Sequence, residues 1–398
     1  MRWSVPVSGP ARLRDTRSLS MPFFRPVRCR TVLSLTVSIA IALSIMCAPS
    51  GADTPPSLDV QIGQMLMVGF RGCAVDDASP IIRDIRTRHI GGVILFDYDV
   101  PTRSPVRNIA SPEQVRRLVS ALRKAASHPL LVAIDQEGGR VNRLKEKFGF
   151  PPSVSQQQLG EINDGATTER YARTTAETLA GLGINTNFAP VVDLNTNPDN
   201  PIIGRLGRSF SADPAVVIRQ AGIVIDALHD AHIVSAIKHF PGHGSSTGDS
   251  HRGLVDVTAT WSPVELTPFK AIIDTGRCDM VMTAHICNEQ LDARWPATLS
   301  RTIISGILRD RWHYDGVVVS DDMQMQAIRD YYGLEQAIER AIIAGCDLLV
   351  FANNSIYDAD IARRAISIIR GLVHRGIISA ARIGDSWRRI EKLKEGLL

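Results

Sequence analysis

Eight short apolar runs recur along this chain, most of them followed by a stretch with helical spacing, and that alternation leaves few folds open. The runs cover residues 65–70, 92–96, 130–135, 184–189, 233–239, 279–285, 316–321 and 347–351. Most are almost continuously apolar, the pattern of parallel strands covered on both faces. Between them, Ser111-Pro112-Glu113 opens a segment with Val115, Leu118, Val119 and Leu122 on one face, and Asp213-Pro214 and Ser262-Pro263 open two more. Eight strand–helix units predict an α/β fold, a single-domain (β/α)8 TIM barrel, with an open doubly wound sheet as the alternative. No glycine-rich phosphate-binding pattern follows the first run, so nucleotide binding gains no support.

A barrel of this kind carries its chemistry at the C-terminal ends of its strands. The polar residues of this chain fall there. The third run ends in Asp135-Gln136-Glu137, the fourth leads to Asp193, the sixth ends in Thr283-Ala284-His285, and the seventh in Ser320-Asp321-Asp322. The fifth passes into the richest stretch, KHFPGHGSSTGDSHRGL over 238–254, with Lys238, His239, His243, Asp249 and His251 among four glycines. Gly242, Gly244, Gly248 and Gly253 permit positive φ and close approach to a ligand, in a loop not expected to fill a core. Asp249 lies two residues from His251, where a carboxylate can accept an imidazole N–H, orient the ring and raise its basicity. The longest irregular span, 195–211, is of a length usually tied to function, and within it Arg208 either holds ligand oxygens or sits on the surface.

The formal charge of +4 does not mark a nucleic-acid binder, because it is unevenly placed. Residues 1–52 hold seven arginines and one acid, leaving 38 basic and 40 acidic residues beyond them. That leader has basic residues before an uncharged run over 32–46, then Ser50 and Ala52, the layout of a secretory signal with cleavage expected after Ala52. Met21 is an alternative start, and Cys47 keeps a lipid anchor open. The expected organisation is therefore a leader over 1–52 and a barrel over 53–398, exported to the periplasm either soluble or tethered to a membrane. Beyond the leader, Cys73, Cys278, Cys287 and Cys346 show no zinc spacing, and all four are expected to be free and mostly buried.

Asp321 at a strand end, a histidine with a carboxylate neighbour, and polar clamps at Asp135, Arg143, Lys238, His239 and Arg208 form the minimal apparatus for glycoside cleavage with retention. In this reading Asp321 attacks the anomeric carbon and His251, oriented by Asp249, protonates the leaving oxygen. Asp321 and Asp322 offer one residue to cap the following helix and one to face the barrel. No serine elbow, cysteine signature, metal cluster or cofactor motif competes.

The segments DQEGGRVNR (135–143), NTNFAPVVD (185–193), NPIIGRLGRSF (200–210), KHFPGHGSSTGDSHRGL (238–254), PATLS (296–300) and DGVVVSDDM (315–323) together resemble glycoside hydrolase family 3 β-N-acetylhexosaminidases of the bacterial peptidoglycan-recycling type. The resemblance covers nearly the whole chain from about residue 60. It implies Asp321 as nucleophile, His251 as acid/base with Asp249, and Asp135, Arg143, Arg208, Lys238 and His239 as sugar ligands. The expected partner is a glycan or muropeptide carrying N-acetylglucosamine, with no nucleic acid and no obligate protein partner. Two departures stand out: the spacing before Arg208 is longer than the family's, and many single-domain relatives are cytoplasmic whereas this chain carries an export signal. Alternatives to a retaining exo-β-N-acetylglucosaminidase are a β-glucosidase-type hydrolase, a phosphorylase, since a neutral imidazole leaves room for phosphate, and a non-catalytic carbohydrate-binding barrel.

Overall fold

A computed structural model describes residues 55–397. The leader expected over 1–52 lies outside the described residues. Residues Pro56–Leu398 form one compact unit.

Ten strands are present among the described residues: β1 (Leu66–Gly69), β2 (Gly92–Leu95), β3 (Leu131–Ile134), β4 (Thr186–Asn187), β5 (Val234–Phe240), β6 (Val255–Asp256), β7 (Met280–Thr283), β8 (Ile286–Cys287), β9 (Val317–Val319) and β10 (Leu349–Phe351). Eight of them join in one parallel sheet in the order β10-β1-β2-β3-β4-β5-β7-β9. A parallel bridge between Val319 and Leu348 brings its two ends together, so the sheet closes into a barrel. Each of the eight apolar runs holds one barrel strand, and the open-sheet alternative is excluded. Seven of the strands are shorter than their runs, while β5 is as long as its run and reaches one residue past it, to Phe240.

Every residue of the eight barrel strands is buried, which is why their sequence shows no alternation. Each such Val, Leu or Ile stabilises the fold by about 1.5–3 kcal/mol relative to exposure. Gly69 lets β1 meet the far end of β10, since a Cβ there would stand 1.8 Å from the Ala352 carbonyl oxygen. Helices wrap the outside. Ser111 Oγ accepts the Gln114 N–H at the start of Pro112–Ala125, and Asp213 accepts the Ala215 N–H at the start of Pro214–Asp230, as the sequence signals indicated.

Several expectations need correction. Ser262-Pro263 opens a 3-10 turn, Pro263–Leu266, and the α-helix begins only at Thr267–Asp274. Pro268 has no N–H with which to continue an α-helical ladder from Val264. Neither Asp321 nor Asp322 caps the helix that follows; it starts at Gln326 with Met325 in the cap position and turns non-helical at Gly333 (φ 67°). Cys73, Cys278, Cys287 and Cys346 are free, but only Cys346 is fully buried; the other three are half-buried. The loop after β5 does fill part of the interior: residues 241–246 are all buried. Gly244 makes that possible, as a Cβ there would stand 1.7 Å from the Leu194 carbonyl oxygen. Of the four loop glycines only Gly242 and Gly253 take positive φ. The ribbon of β6 with β8, two residues per strand, is too short to leave a periodic signal.

Candidate active site

A cavity of about 320 Å³ opens at the C-terminal end of the barrel, lined by residues from almost every strand end, among them Asp135, Glu137, Lys238, His243, Ser250 and Asp322. Of the residues expected to form the site, Asp135, Arg143, Arg208, Lys238, His239, His251 and Asp321 all line it. Asp249 stands behind His251.

The cavity wall on the β3–β5 side is a network of fixed charges. Lys238 Nζ reaches Asp135 Oδ1 at 2.8 Å and Glu137 Oε1 at 2.7 Å. Arg208 grips Glu137 with two parallel bonds, Nε to Oε2 and Nη2 to Oε1, both 2.7 Å. Lys238, Glu137 and Arg208 are all buried, so the surface alternative for Arg208 is excluded despite its atypical spacing. Burial by itself would raise the Glu137 and Asp135 carboxyls, but the facing cations hold both below their ordinary values: Arg208 and Lys238 for Glu137, Lys238 and Arg143 for Asp135. Arg143 lies farther off, 3.6 Å from Asp135 Oδ2 and 3.9 Å from Asp97 Oδ1, with its guanidinium beside the Phe96 ring.

His239 is oriented by Asp193. A carboxylate only accepts, so the 2.6 Å contact to Asp193 Oδ2 is a donation from His239 Nδ1. That leaves Nε2 as acceptor for the Arg208 guanidinium at 3.3 Å. The backbone N–H groups of His239 and His243 also converge on Asp193. The Lys238–His239 peptide is cis.

On the opposite side, Asp321 follows β9 and Asp322 lies beside it. The two aspartates have different surroundings. Burial would raise the Asp321 carboxyl, yet His285, His239 and His251 around it and the Asp322 N–H hold it down at about 2, so it is ionised at neutral pH. Asp322 is pushed up to about 6 by burial, against the N–H groups of Ala352 and Gln324 that its Oδ1 accepts. His285 is buried and ties its Nε2 to the Asp322 carbonyl at 3.0 Å.

Above them, Asp249 Oδ1 accepts both the backbone N–H and the Nδ1–H of His251 at 2.9 Å. The other ring nitrogen, Nε2, is then the one left to exchange protons. More than half of the His251 side chain (56%) is exposed. What burial there is lowers its basicity, but the Asp249 bond and the Asp321 charge outweigh it and leave the imidazole more basic than usual.

Four contributors were not singled out from the sequence as site residues: Glu137, Asp193, Glu265 and Asp322. Glu137 and Asp193 sit inside the very segments that carry the resemblance. Glu265 comes from the misread 262–266 turn; its buried carboxylate accepts the Gly244 N–H at 3.1 Å under the loop, and its Oε1 has no partner. Among the described residues no group of three or more His, Cys, Asp or Glu side chains is placed to hold a metal ion.

The family model for the glycosyl hydrolase family 3 N-terminal domain matches residues 57–393. A β-hexosaminidase of Tolumonas auensis is 37% identical over 294 residues, 73% of this chain and 83% of the relative. Among solved structures, a family 3 β-N-acetylglucosaminidase of a Paenibacillus species superposes with a TM-score of 0.78 at 35% identity, covering 86% of this chain; this chain spans 63% of that longer protein. A β-N-acetylhexosaminidase of Beutenbergia cavernae gives a TM-score of 0.77 at 30% identity, covering 86% of this chain and 99% of its own.

Proposed function

This chain belongs to glycosyl hydrolase family 3, and we propose that it is an exo-acting, retaining β-N-acetylglucosaminidase working through a covalent intermediate on Asp321. The observation that carries the reading is the placement of an ionised carboxylate, Asp321, and a basic, partly exposed imidazole, His251, on one cavity whose far wall is a network of fixed polar groups.

In the first step the Asp321 carboxylate attacks the anomeric carbon. The bond from that carbon to the bridging oxygen breaks, its electron pair stays on the oxygen, and protonated His251 Nε2 supplies the proton. Asp249 holds the ring through Nδ1 and stabilises the imidazolium. In the second step the neutral imidazole takes a proton from water as the water oxygen attacks the same carbon; the bond from that carbon to the Asp321 oxygen breaks with its electron pair returning to the carboxylate, which releases the sugar and restores both residues. Asp135, Lys238, His239, Arg208 and Arg143 present hydrogen-bonding groups to the sugar, and Glu137 and Asp193 keep the cations and His239 in place. A cavity walled on one side by buried ion pairs accepts the end of a glycan, which fits removal of one terminal residue at a time.

The substrate is a glycan carrying terminal β-linked N-acetylglucosamine, with peptidoglycan fragments as the proposed natural source. Export by the leader places the enzyme outside the cytoplasm in this reading. Activity on p-nitrophenyl N-acetyl-β-glucosaminide and none on the matching glucoside supports the N-acetyl preference; the reverse order supports the β-glucosidase alternative. Glycosyl phosphate formed in phosphate buffer would favour a phosphorylase. No turnover of any aryl hexosaminide would leave a binding barrel.

A further inference from the structure

The residues that carry the Asp249–His251 pair are held to the rest of the protein by little. Among the hydrogen bonds of residues 249–254, those from Asp249 go to His251 and Arg252, within the same segment. Among the described residues only one reaches outside: Ser250 Oγ lies 3.2 Å from His243 Nε2. Ser250 is buried, while its neighbour His251 and the next residue Arg252 are exposed. Downstream, the chain is next pinned at Val255, where β6 pairs with β8.

His243, by contrast, is fixed on every side. Its N–H donates to Asp193 Oδ1 at 2.7 Å, its carbonyl accepts the Asn200 amide at 2.7 Å, and its Nδ1 meets Ser246 Oγ at 2.8 Å. It is fully buried and lines the cavity. Burial lowers its basicity to about 4, against the Asp193 charge, so the ring is neutral at working pH and one nitrogen is an acceptor. A rigid imidazole on the barrel frame thus meets the one buried hydroxyl of an otherwise exposed tip.

We propose that His243 and Ser250 are positioning residues: their Nε2···Oγ hydrogen bond latches the 249–254 segment so that His251 faces the leaving-group oxygen over Asp321. The inference rests on the reading of His251 as acid/base. An acid that must deliver a proton along one direction loses efficiency when its carrier samples other orientations. In this reading the latch acts by orienting His251, the residue that meets the departing oxygen.

The dependence on leaving group separates this role from a general structural one. kcat/KM ends at formation of the glycosyl-enzyme, and a 2,4-dinitrophenyl group leaves without protonation whereas the sugar of N,N′-diacetylchitobiose does not. Ser250→Ala is expected to lower kcat/KM on chitobiose roughly tenfold more than on the dinitrophenyl glycoside, and Ser250→Thr, which keeps the hydroxyl, to recover most of the difference. Equal losses on both substrates, or no loss on either, would overturn the latch. His251→Ala serves as the reference. If it discriminates between the two substrates and Ser250→Ala does not, the latch alone fails; if His251→Ala does not discriminate, the acid/base assignment fails and the latch with it.

Discussion

Asp321 Oδ1 accepts the backbone N–H of Asp322 at 2.7 Å, while the Asp322 carboxylate turns the other way and accepts the N–H groups of Gln324 and Ala352 at 3.1 and 2.9 Å. Both aspartates line the cavity, but they face different work: Asp321 keeps its charge there, while Asp322 knots the end of β9 to the end of β10. Asp322→Ala should leave two buried N–H groups unpaired, at a cost of about 1–3 kcal/mol each. Thermal unfolding should report a clear fall in Tm for Asp322→Ala and little change for Asp321→Ala.

Glu137 neutralises two buried cations at once. Glu137→Ala leaves Lys238 and Arg208 buried with one fewer counter-charge, and breaking a buried pair in this way costs about 3–5 kcal/mol. Urea denaturation of the variant should show that loss, and KM should rise as the cavity wall loosens. An unchanged midpoint would mean that Asp135 and Asp193 suffice to hold both cations.

The pH dependence of kcat/KM follows from two shifts of opposite sense. Asp321 is held at about 2, so it is ionised across the working range and contributes no acidic limb above roughly pH 4. His251 is more basic than an ordinary imidazole, so its acid form persists as pH rises past 6.5 and activity is lost only above that. A rate profile on an unactivated substrate should show a basic limb above 6.5. The limb should vanish in His251→Asn assayed on the dinitrophenyl glycoside, where no proton is needed.

Glu265 gives a stability test. Its carboxyl is raised by burial from 4.5 to about 7, so the folded state binds a proton more tightly than the unfolded chain. The penalty is absent below 4.5, grows as pH rises to 7 and is full above it, on the order of 3 kcal/mol. Glu265→Gln removes the charge, so its Tm should gain on the parent between pH 5 and pH 8. A parent and variant whose difference in Tm is the same at both pH values would contradict this.

The barrel was legible because burial on both faces writes most of the strands as nearly continuous apolar runs; β4, which pairs through only the polar Thr186 and Asn187, was legible from its apolar flanks Ile184 and Phe188. The rim was legible because polar residues so close to those runs have no role in the core. What the sequence hid were the partners of partners. Glu137 meets Arg208 across 71 positions and His239 meets Asp193 across 46, separations that no local spacing encodes. Glu265 was hidden for a different reason: Ser262-Pro263 reads as a helix start, whereas it opens the short 3-10 segment Pro263–Leu266 that aims a carboxylate under the 241–246 loop. For the adjacent pair the sequence pointed to Asp321 as the residue facing the barrel, but not to the role of Asp322, whose carboxylate accepts the Gln324 and Ala352 N–H groups instead of capping the following helix.

The central claim is a covalent bond between Asp321 and the anomeric carbon. Incubating the enzyme with a 2-deoxy-2-fluoro glycoside bearing a good leaving group, then digesting it and sequencing the labelled peptide by mass spectrometry, tests it directly. The account predicts one added sugar, on Asp321, in the parent and none in Asp321→Asn. A label on Asp322, or turnover by Asp321→Asn at the parent rate, would contradict it.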